Sequence, residues 1–573
     1  MAKILLTPYW IEIQAAATEP AFNNLINNVS GIHATRRRNT YRCSRMLLPD
    51  VLFYLRGVFD PSQLPEGPAK TAWLEENYRV AATQELKEHG LPEGTPTDNG
   101  LWLHQQIGVE LAKVNSRYNF FYDTRTGKTR MAYQIIQNAL AAGKIKRCIV
   151  FTKSTIVQSW LDDAKAFPKL KVVAFYGNDK QKASALNTPC HVIIWSTGMI
   201  ASNIELIKQC HFDMCFFDES SALKSHRSQV SKLMLDYCLT VPYWYNLTAT
   251  PAPNGEYEYY VQMQTVDPYI FNPLRTHFVT KYFINLSNKR EYEKLQINPY
   301  MKQEFMDIVE SRSIYVDQKV MPTAGKEWHF APFRLHPDVF EKYEDMRRNL
   351  ATEAEDADIT ADTAAAMRAK LQQIVSGFIM DTEAIQHNQV ERKMKGSDIW
   401  QEVYWLSDYN ARIHCLEKLL VDELANEKVV IWANYAAEFE SIKKLLGSRC
   451  RVIRGGTSIE DKQDAIKQFK QGSLQYLVCH PLSVGMGINL TESCNAVYYS
   501  INDSWEALKQ SSERIAGHIK VQPRKCHYWI LQAQDPSGKD LIDRLVYNNV
   551  WHKRDASTGF LDYLKAGVLT NDA

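Results

Sequence analysis

The sequence predicts an α/β protein built from two parallel-sheet lobes, with a small α+β domain ahead of them and a helical insert between them. Three observations carry this expectation. Between Leu101 and about Tyr269 short apolar runs alternate with helically spaced segments: Arg147 to Thr152, Val172 to Tyr176, His191 to Thr197, Met214 to Glu219 and Tyr243 to Thr250. The alternation disappears between residues 270 and about 405, then returns in Val429 to Tyr435, Cys450 to Gly455, Tyr476 to His480, Ala496 to Ser500 and His527 to Leu531. Continuous apolar runs of this length mark strands covered on both faces, and helical spacing between them implies parallel crossovers.

Composition narrows the class without naming it. At 573 residues the chain is too long for one core and suggests roughly three or four domains. With 45% hydrophobic and 23% charged residues it is an ordinary globular protein. No apolar run approaches the roughly 20 residues of a membrane span, so no membrane partner is expected. The amino end, Met1 to Leu6, breaks at Pro8 and is too short for a signal peptide, so a cytoplasmic location is expected. The 11 cysteines form no Cys-x-x-Cys pair, which points away from a zinc site or a disulfide framework. Cys148, Cys215 and Cys479 fall inside apolar runs and read as small core residues. A net charge of +2 means that any nucleic-acid surface must be a local patch.

Taken in order, residues 1–95 read as a separate module. Ala21 to Val29 is a helix, Ser30-Gly31 a turn and Leu47 to Val58 a second helix, and the stretch between carries Arg36, Arg37, Arg38, Arg42 and Arg45 around Tyr41. One reading is a solvated charged hairpin. The other is a phosphate-tracking patch, because arginine forks match phosphate oxygens and a tyrosine can pack on sugar or base. Pro61 to Pro68 and Pro92 to Asn99 read as linkers. Residues 96–275 form the first lobe, 276–405 a connecting region with an acidic stretch (Glu353 to Asp358), 406–535 the second lobe and 536–573 a helical tail.

The chemistry concentrates in Tyr122-Asp123-Thr124-Arg125-Thr126-Gly127-Lys128-Thr129, which comes after an apolar strand and opens a helix. Such a turn aims the unpaired first amides of the helix, and its positive end, at one spot suited to an anion. Lys128 adds a charge for outer phosphates and Thr129 a hydroxyl for Mg²⁺. Met214 to Glu219 ends a buried strand in two carboxylates: Asp218 suits Mg²⁺, and Glu219 suits the attacking water. Leu247-Thr248-Ala249-Thr250-Pro251 closes a further strand with two hydroxyls. The second α/β unit lacks a Gly-Lys-Thr and is not an independent nucleotide site.

These three segments, in this order, resemble the motor of superfamily 2 helicases. Asp218-Glu-Ser-Ser-Ala-Leu-Lys224 and Thr248-Ala-Thr-Pro-Ala-Pro-Asn254 are similar to the Swi/Snf family of DNA translocases, especially its compact phage-type members. Leu101-Trp-Leu-His-Gln105-Gln-Ile-Gly108 looks like the family's adenine-reading motif, which implies that Gln105 pairs with adenine. Thr152 to Trp160 (with Lys153) and Ser196-Thr197 resemble the next two motifs, on the DNA-facing side of the first lobe in the family. In the second lobe, Val430 to Asn434-Tyr435 resembles motif IV, and Gly455-Gly456-Thr457 the loop after it. Ser483-Val-Gly485-Met-Gly487-Ile-Asn489-Leu490 resembles motif V, and Gln510-Ser-Ser-Glu513-Arg514 motif VI. Leu371 to Phe378 is similar to a connecting segment of phage-type members.

The resemblance implies two RecA-like lobes and ATP with Mg²⁺ as cofactors. It implies a nucleotide site of Gln105, Asp123 to Thr129, Gly487, Gln510 and Arg514, with Arg514 reaching the γ-phosphate as an arginine finger. DNA contacts would come from Arg36, Arg37, Arg38, Arg42, Lys153, Ser196, Thr197, Asn434, Tyr435, Gly456, Thr457 and Ser483. The amino-terminal module is similar to the substrate-recognition domains of annealing helicases and of UvsW-type branch-migration helicases. The expected activity is therefore DNA-stimulated ATP hydrolysis by a translocase on duplex or branched DNA, acting in repair or recombination. It would work as a monomer, beside other replication or recombination proteins. Its expected location is the nucleoid-associated cytoplasm, the host's if the protein is phage-encoded. Alternatives are an RNA or protein-displacing remodeller, and a nucleotide-gated DNA scaffold that barely hydrolyses ATP. The last is motivated by Gly517, which, ahead of His518 and Lys520, stands where motif VI has a second arginine; other departures from the pattern are Ser221 for a histidine and Arg125 for a glycine.

Overall fold

The structure, a computed structural model, describes all residues except 1–2, 8, 17, 57–67, 93–94, 96–99, 177–178, 287–294, 357–360, 382–401, 482, 484–488, 503, 518, 520, 549 and 552–573. The chain forms two compact units that divide between Val320 and Met321.

The first unit opens with strands β1 (Lys3–Leu6), β2 (Ile11–Gln14), β3 (His33–Ala34) and β4 (Thr40–Cys43), paired antiparallel in the order β1-β2-β4-β3. Helices Pro20–Asn28 and Leu48–Arg56 cover this sheet, and Ile11, Ile13, Phe22, Leu25 and Val51 make its core. The sequence reading does not foresee β1 and β2. Four residues each is too short a run to stand out, and only cross-strand pairing defines them. A chain of buried polar contacts fastens the module to the first lobe. Ser44 Oγ donates to Asp267 Oδ2 at 2.5 Å, and Arg312 bridges Asp267 at 3.3 Å and Glu76 at 3.5 Å. Burial raises the Glu76 carboxyl, but the Arg79 hydrogen bond and the charges of Arg312 and Arg45 outweigh it and bring the value down to about 2.

The main sheet of this unit contains β5 (Arg117–Tyr122), β6 (Cys148–Thr152), β7 (Val172–Phe175), β8 (Val192–Ser196), β9 (Met214–Asp218) and β10 (Tyr243–Leu247). A hairpin of β11 (Phe283–Asn285) and β12 (Leu295–Ile297) comes next, and β13 (Ser313–Val316) returns to the main sheet. All seven strands of that sheet are parallel, in the order β13-β5-β10-β9-β6-β8-β7.

In the second unit β14 (Lys326–Arg334), the hairpin β15 (Phe378–Asp381) and β16 (Glu402–Trp405), β17 (Val429–Trp432), β18 (Cys450–Ile453), β19 (Tyr476–Cys479), β20 (Asn495–Tyr498) and β21 (Cys526–Gln534) appear in turn. Six of them form a parallel sheet in the order β14-β21-β20-β17-β19-β18. The region 276–405, expected as a helical connector, thus lends one strand to each lobe. Of its helices, Lys302–Ser311 comes before both strands, and Pro337–Asp356 and Ala361–Val375 come after them. Lys326–Arg334 hides its strand character because it mixes charges with aromatics and carries Pro332, which only an edge strand tolerates. Cys148, Cys215 and Cys479 are fully buried, as their apolar context implies.

Helix Leu103–Val114 crosses close to helix Lys128–Ala141 at Gly108, where a Cβ would lie 2.2 Å from Met131 Sδ and 2.7 Å from the Tyr122 hydroxyl. Gly108→Ala is therefore expected to destabilise the first unit by about 1–3 kcal/mol through overpacking, read as a lower denaturation midpoint in urea; an unchanged midpoint would contradict this packing.

Candidate nucleotide site

β5 ends at the fully buried Tyr122, whose hydroxyl donates to the carbonyl of His104 at 2.7 Å. Tyr122 occupies the first glycine position of the phosphate-loop pattern, and Gly108 supplies the room its ring needs. Beyond it the chain turns back on itself. Thr126 Oγ1 donates to Asp123 O at 2.7 Å, and Asp123 Oδ1 accepts from the Thr124 amide at 2.7 Å. Arg125 and Gly127 both have left-handed backbones, with φ of 61° and 76°. The glycine usual at the Arg125 position is explained by that angle, and arginine bears the strain there. At Gly127 a side chain would be strained by the left-handed backbone and would displace Gln105, whose Nε2 lies 2.0 Å from where a Cβ would stand. The helix then starts at Lys128, whose Nζ donates to the carbonyls of Tyr122 at 3.0 Å and Asp123 at 3.1 Å, under the loop. The Thr129 hydroxyl is hydrogen-bonded to Asp163.

Gln105 braces this turn. Its Oε1 accepts from the Trp102 amide at 2.9 Å, and its Nε2 donates to Thr126 O at 3.2 Å and Gly127 O at 3.1 Å. Both ends of the carboxamide are thus engaged locally, in a buttressing role that the adenine-reading expectation does not include.

Sheet order puts the acidic pair near the loop. β10 lies between β5 and β9, so the segments ending these three strands share one edge of the sheet. The Thr248 amide bonds Phe120 O at 3.3 Å, and its hydroxyl donates to Glu219 Oε2 at 3.4 Å, linking the neighbouring segments. Glu219 is buried and takes a left-handed backbone, with φ of 56°. Asp218 is held by three donors: Trp160 Nε1 at 2.8 Å and Thr152 Oγ1 at 3.0 Å, both on Oδ2, and the Glu219 amide at 3.1 Å on Oδ1. A buried carboxylate needs such donors.

Thr152 and Trp160 were expected on a DNA-facing surface; both are fully buried and point at Asp218. Ser196, beside Thr152 in register, is also buried, while Lys153 and Thr197 are half-buried. Trp160 is the site residue that sequence reasoning misses, since an indole donor to a residue 58 positions away leaves no local signal.

In the second unit, Gln510 is buried and donates to Glu506 Oε1 at 2.9 Å. The backbone of Arg514 ties motif VI to motif V, its carbonyl accepting from the Leu490 amide at 2.9 Å. Gly517 is buried; Gly487, His518 and Lys520 lie outside the described residues. Asn434 binds Ser500 O at 3.0 Å, and the Tyr435 hydroxyl donates to Gln372 Oε1 at 3.2 Å, so both organise the β17 end. Thr457 Oγ1 accepts from the Arg454 amide at 3.1 Å beside Gly456, whose φ is 83°. The Ser483 amide donates to His480 O at 2.9 Å.

The basic stretch of the amino-terminal module divides. Arg36, Arg37 and Arg38 are exposed at the β3–β4 turn. Arg42 faces Glu12 across the sheet with an N···O distance of 2.9 Å, lies 4.5 Å from the Trp10 ring and donates to Tyr269 at 3.2 Å. Tyr41 packs on Phe22 at 4.4 Å. Both therefore leave the patch: pairing places Arg42 against an acid, and the tyrosine joins the small core.

The chain is similar to known proteins over both of its units. The SNF2-related domain pattern matches residues 116–322, and the helicase conserved C-terminal domain pattern matches residues 411–517; together they span more than half of the chain. Putative protein p41 of Acyrthosiphon pisum secondary endosymbiont phage 1 is 24% identical over 78% of this chain and 95% of its own length. The RNA polymerase-associated protein RapA of Haemophilus influenzae is 27% identical, over only 30% of this chain and 20% of that protein. Among solved structures, the Sulfolobus solfataricus SWI2/SNF2 ATPase core in complex with dsDNA is 16% identical with a TM-score of 0.36, covering 82% of this chain and 96% of that one.

Removing either side-chain donor to Asp218, by Trp160→Phe or Thr152→Val, is expected to cost about 1.5–3 kcal/mol, the usual loss for a hydrogen bond to a charged group. Chemical denaturation reads this, and the double variant should depart from additivity because both donors share Oδ2. Two wild-type midpoints would show that the carboxylate does not depend on them.

Proposed function

The chain belongs to the Swi/Snf-type helicases of superfamily 2, a family of ATPases, and we propose that it is an ATP-driven translocase on duplex DNA that selects forks or four-way junctions through its amino-terminal module. The observation that carries this reading is the shared sheet edge where the phosphate loop after β5, the Thr248 segment after β10 and the carboxylates ending β9 meet.

The residues present fit the nucleotide and its metal. The turn after β5 runs into the start of helix Lys128–Ala141, where no side chain caps the first amides, and Asp218 offers a buried hard oxygen donor of the kind Mg²⁺ prefers. Thr129 and Asp218 would hold the ion, which when bound neutralises charge on the outer phosphates. Asp123 to Thr129 present the amides of the turn to the phosphates, and Lys128 adds a positive charge. Glu219, oriented by Thr248, accepts a proton from the attacking water. Gln105 is the proposed adenine reader, a role in which its carboxamide gives up the Trp102, Thr126 and Gly127 contacts that brace the loop. Gly487, Gln510 and Arg514 are proposed as second-lobe nucleotide contacts, with Arg514 sensing the γ-phosphate.

For DNA, Arg36, Arg37 and Arg38 form an exposed cationic tip suited to phosphates. Lys153, Thr197, Asn434, Tyr435, Gly456, Thr457 and Ser483 are the proposed motor contacts. Branch migration or annealing in repair or recombination, action as a monomer, and work beside other replication or recombination proteins complete the proposal. A second reading, a nucleotide-gated DNA scaffold with little turnover, is favoured by one feature, Gly517 in place of the second arginine of motif VI.

Steady-state ATP hydrolysis without nucleic acid, and with linear duplex, single strand, RNA and four-way junction, separates these readings. The translocase predicts stimulation by duplex or junction, and a loss of two orders of magnitude or more in Lys128→Ala. DNA binding with negligible turnover, restored in Gly517→Arg, would favour the scaffold. Turnover surviving Lys128→Ala would overturn the site assignment.

A further inference from the structure

At the outer edge of the second sheet, β14 and β21 bring three side chains together that the nucleotide site does not use. Glu327 lies opposite His527 in the parallel register, and His329 lies two residues further along β14, so all three project from the same face. His329 Nε2 is 3.0 Å from His527 Nδ1, and Glu327 Oε2 is 4.0 Å from the same Nδ1. One ligand atom from each residue falls within 4.8 Å of the others. A tetrahedral zinc-type ion, with Zn–N near 2.0–2.1 Å and Zn–O near 2.0–2.2 Å, separates its ligand atoms by roughly 3.3 Å. Small side-chain rotations therefore suffice to close the set.

We propose that Glu327, His329 and His527 form a binding site for a divalent transition-metal ion of the zinc class, with water completing the coordination. Two imidazoles and one carboxylate suit such an ion better than Mg²⁺ or Ca²⁺, which favour oxygen. The side chains are accessible, Glu327 being 44% and His527 34% exposed. The ring of His329 stacks on Trp529 with centroids 4.3 Å apart, which restricts how it can turn. Bound there, the ion clips the edge strand β14 to β21. This does not rest on the ATPase reading, because neither histidine belongs to that site.

Lys525 supplies an internal control. Its Nζ donates a hydrogen bond to Glu327 Oε2 at 2.9 Å. The amine therefore competes with any cation for the same atom. The site therefore makes an opposed pair of predictions: removing a histidine weakens metal binding, and removing the lysine strengthens it.

The test is calorimetric titration of the full chain, freed of metal by a chelator, with zinc chloride. A parallel Co²⁺ titration followed by absorption distinguishes imidazole and carboxylate ligation from thiolate ligation by the 11 cysteines. Expected are one equivalent bound, a loss of tenfold or more in affinity in both His329→Ala and His527→Ala, a smaller loss in Glu327→Gln, and a severalfold gain in Lys525→Met. The Co²⁺ complex should lack thiolate charge-transfer bands. No binding, binding indifferent to both histidine substitutions, thiolate bands, or weaker binding in Lys525→Met would each overturn the proposal. Lys525→Met, at an exposed position, keeps the test decisive if a histidine variant folds poorly.

Discussion

The phosphate loop depends on one steric fact: at Gly127 the backbone is left-handed and a Cβ would displace the Gln105 carboxamide. The same close approach lets Gln105 reach two carbonyls of the turn and lets the helix begin at Lys128. A side chain at this point would push away either Gln105 or the turn, and the amides would lose their common aim. Gly108 has the matching role a layer further back, making space for Tyr122 between two helices. Two glycines thus set the geometry of the loop proposed to bind phosphate.

The acidic half of the site is governed by electrostatics rather than sterics. Asp218 ends a buried strand, where an unsupported carboxylate would be costly. Trp160 and Thr152 approach from one flank and Glu219 adds its own amide, so the oxygens are positioned before any ligand arrives. Such preorganisation lets a carboxylate act on a metal without rearranging. Thr248, between the loop strand and the acidic strand, couples the two halves through one amide and one hydroxyl.

The amino-terminal module is bound to the first lobe through Ser44, Asp267, Arg312 and Glu76, a polar seam whose charges balance once Arg79, paired with Glu76, is counted. Arg42 belongs to this structural role through Glu12 and Tyr269, which leaves the three arginines of the β3–β4 turn as the module's exposed cations along that stretch. Position on a strand, not residue type, separates the two uses of arginine here.

Much of this protein was legible from residues alone. Continuous apolar runs marked eleven strands of the two lobes, the one before the phosphate loop included, and Gly127-Lys128-Thr129 and Asp218-Glu219 stood out as site candidates, because periodicity and turn chemistry are local properties. Tertiary structure decided which strands are neighbours, and hence that Thr248 stands between loop and acid and that Trp160 donates to Asp218. It also recruited β13 and β14 from a region that reads as a connector, and paired Arg42 with Glu12. The physical reason is that a hydrogen-bond partner 30 or 58 residues away is chosen by sheet order and register, which hydrophobic patterning does not encode.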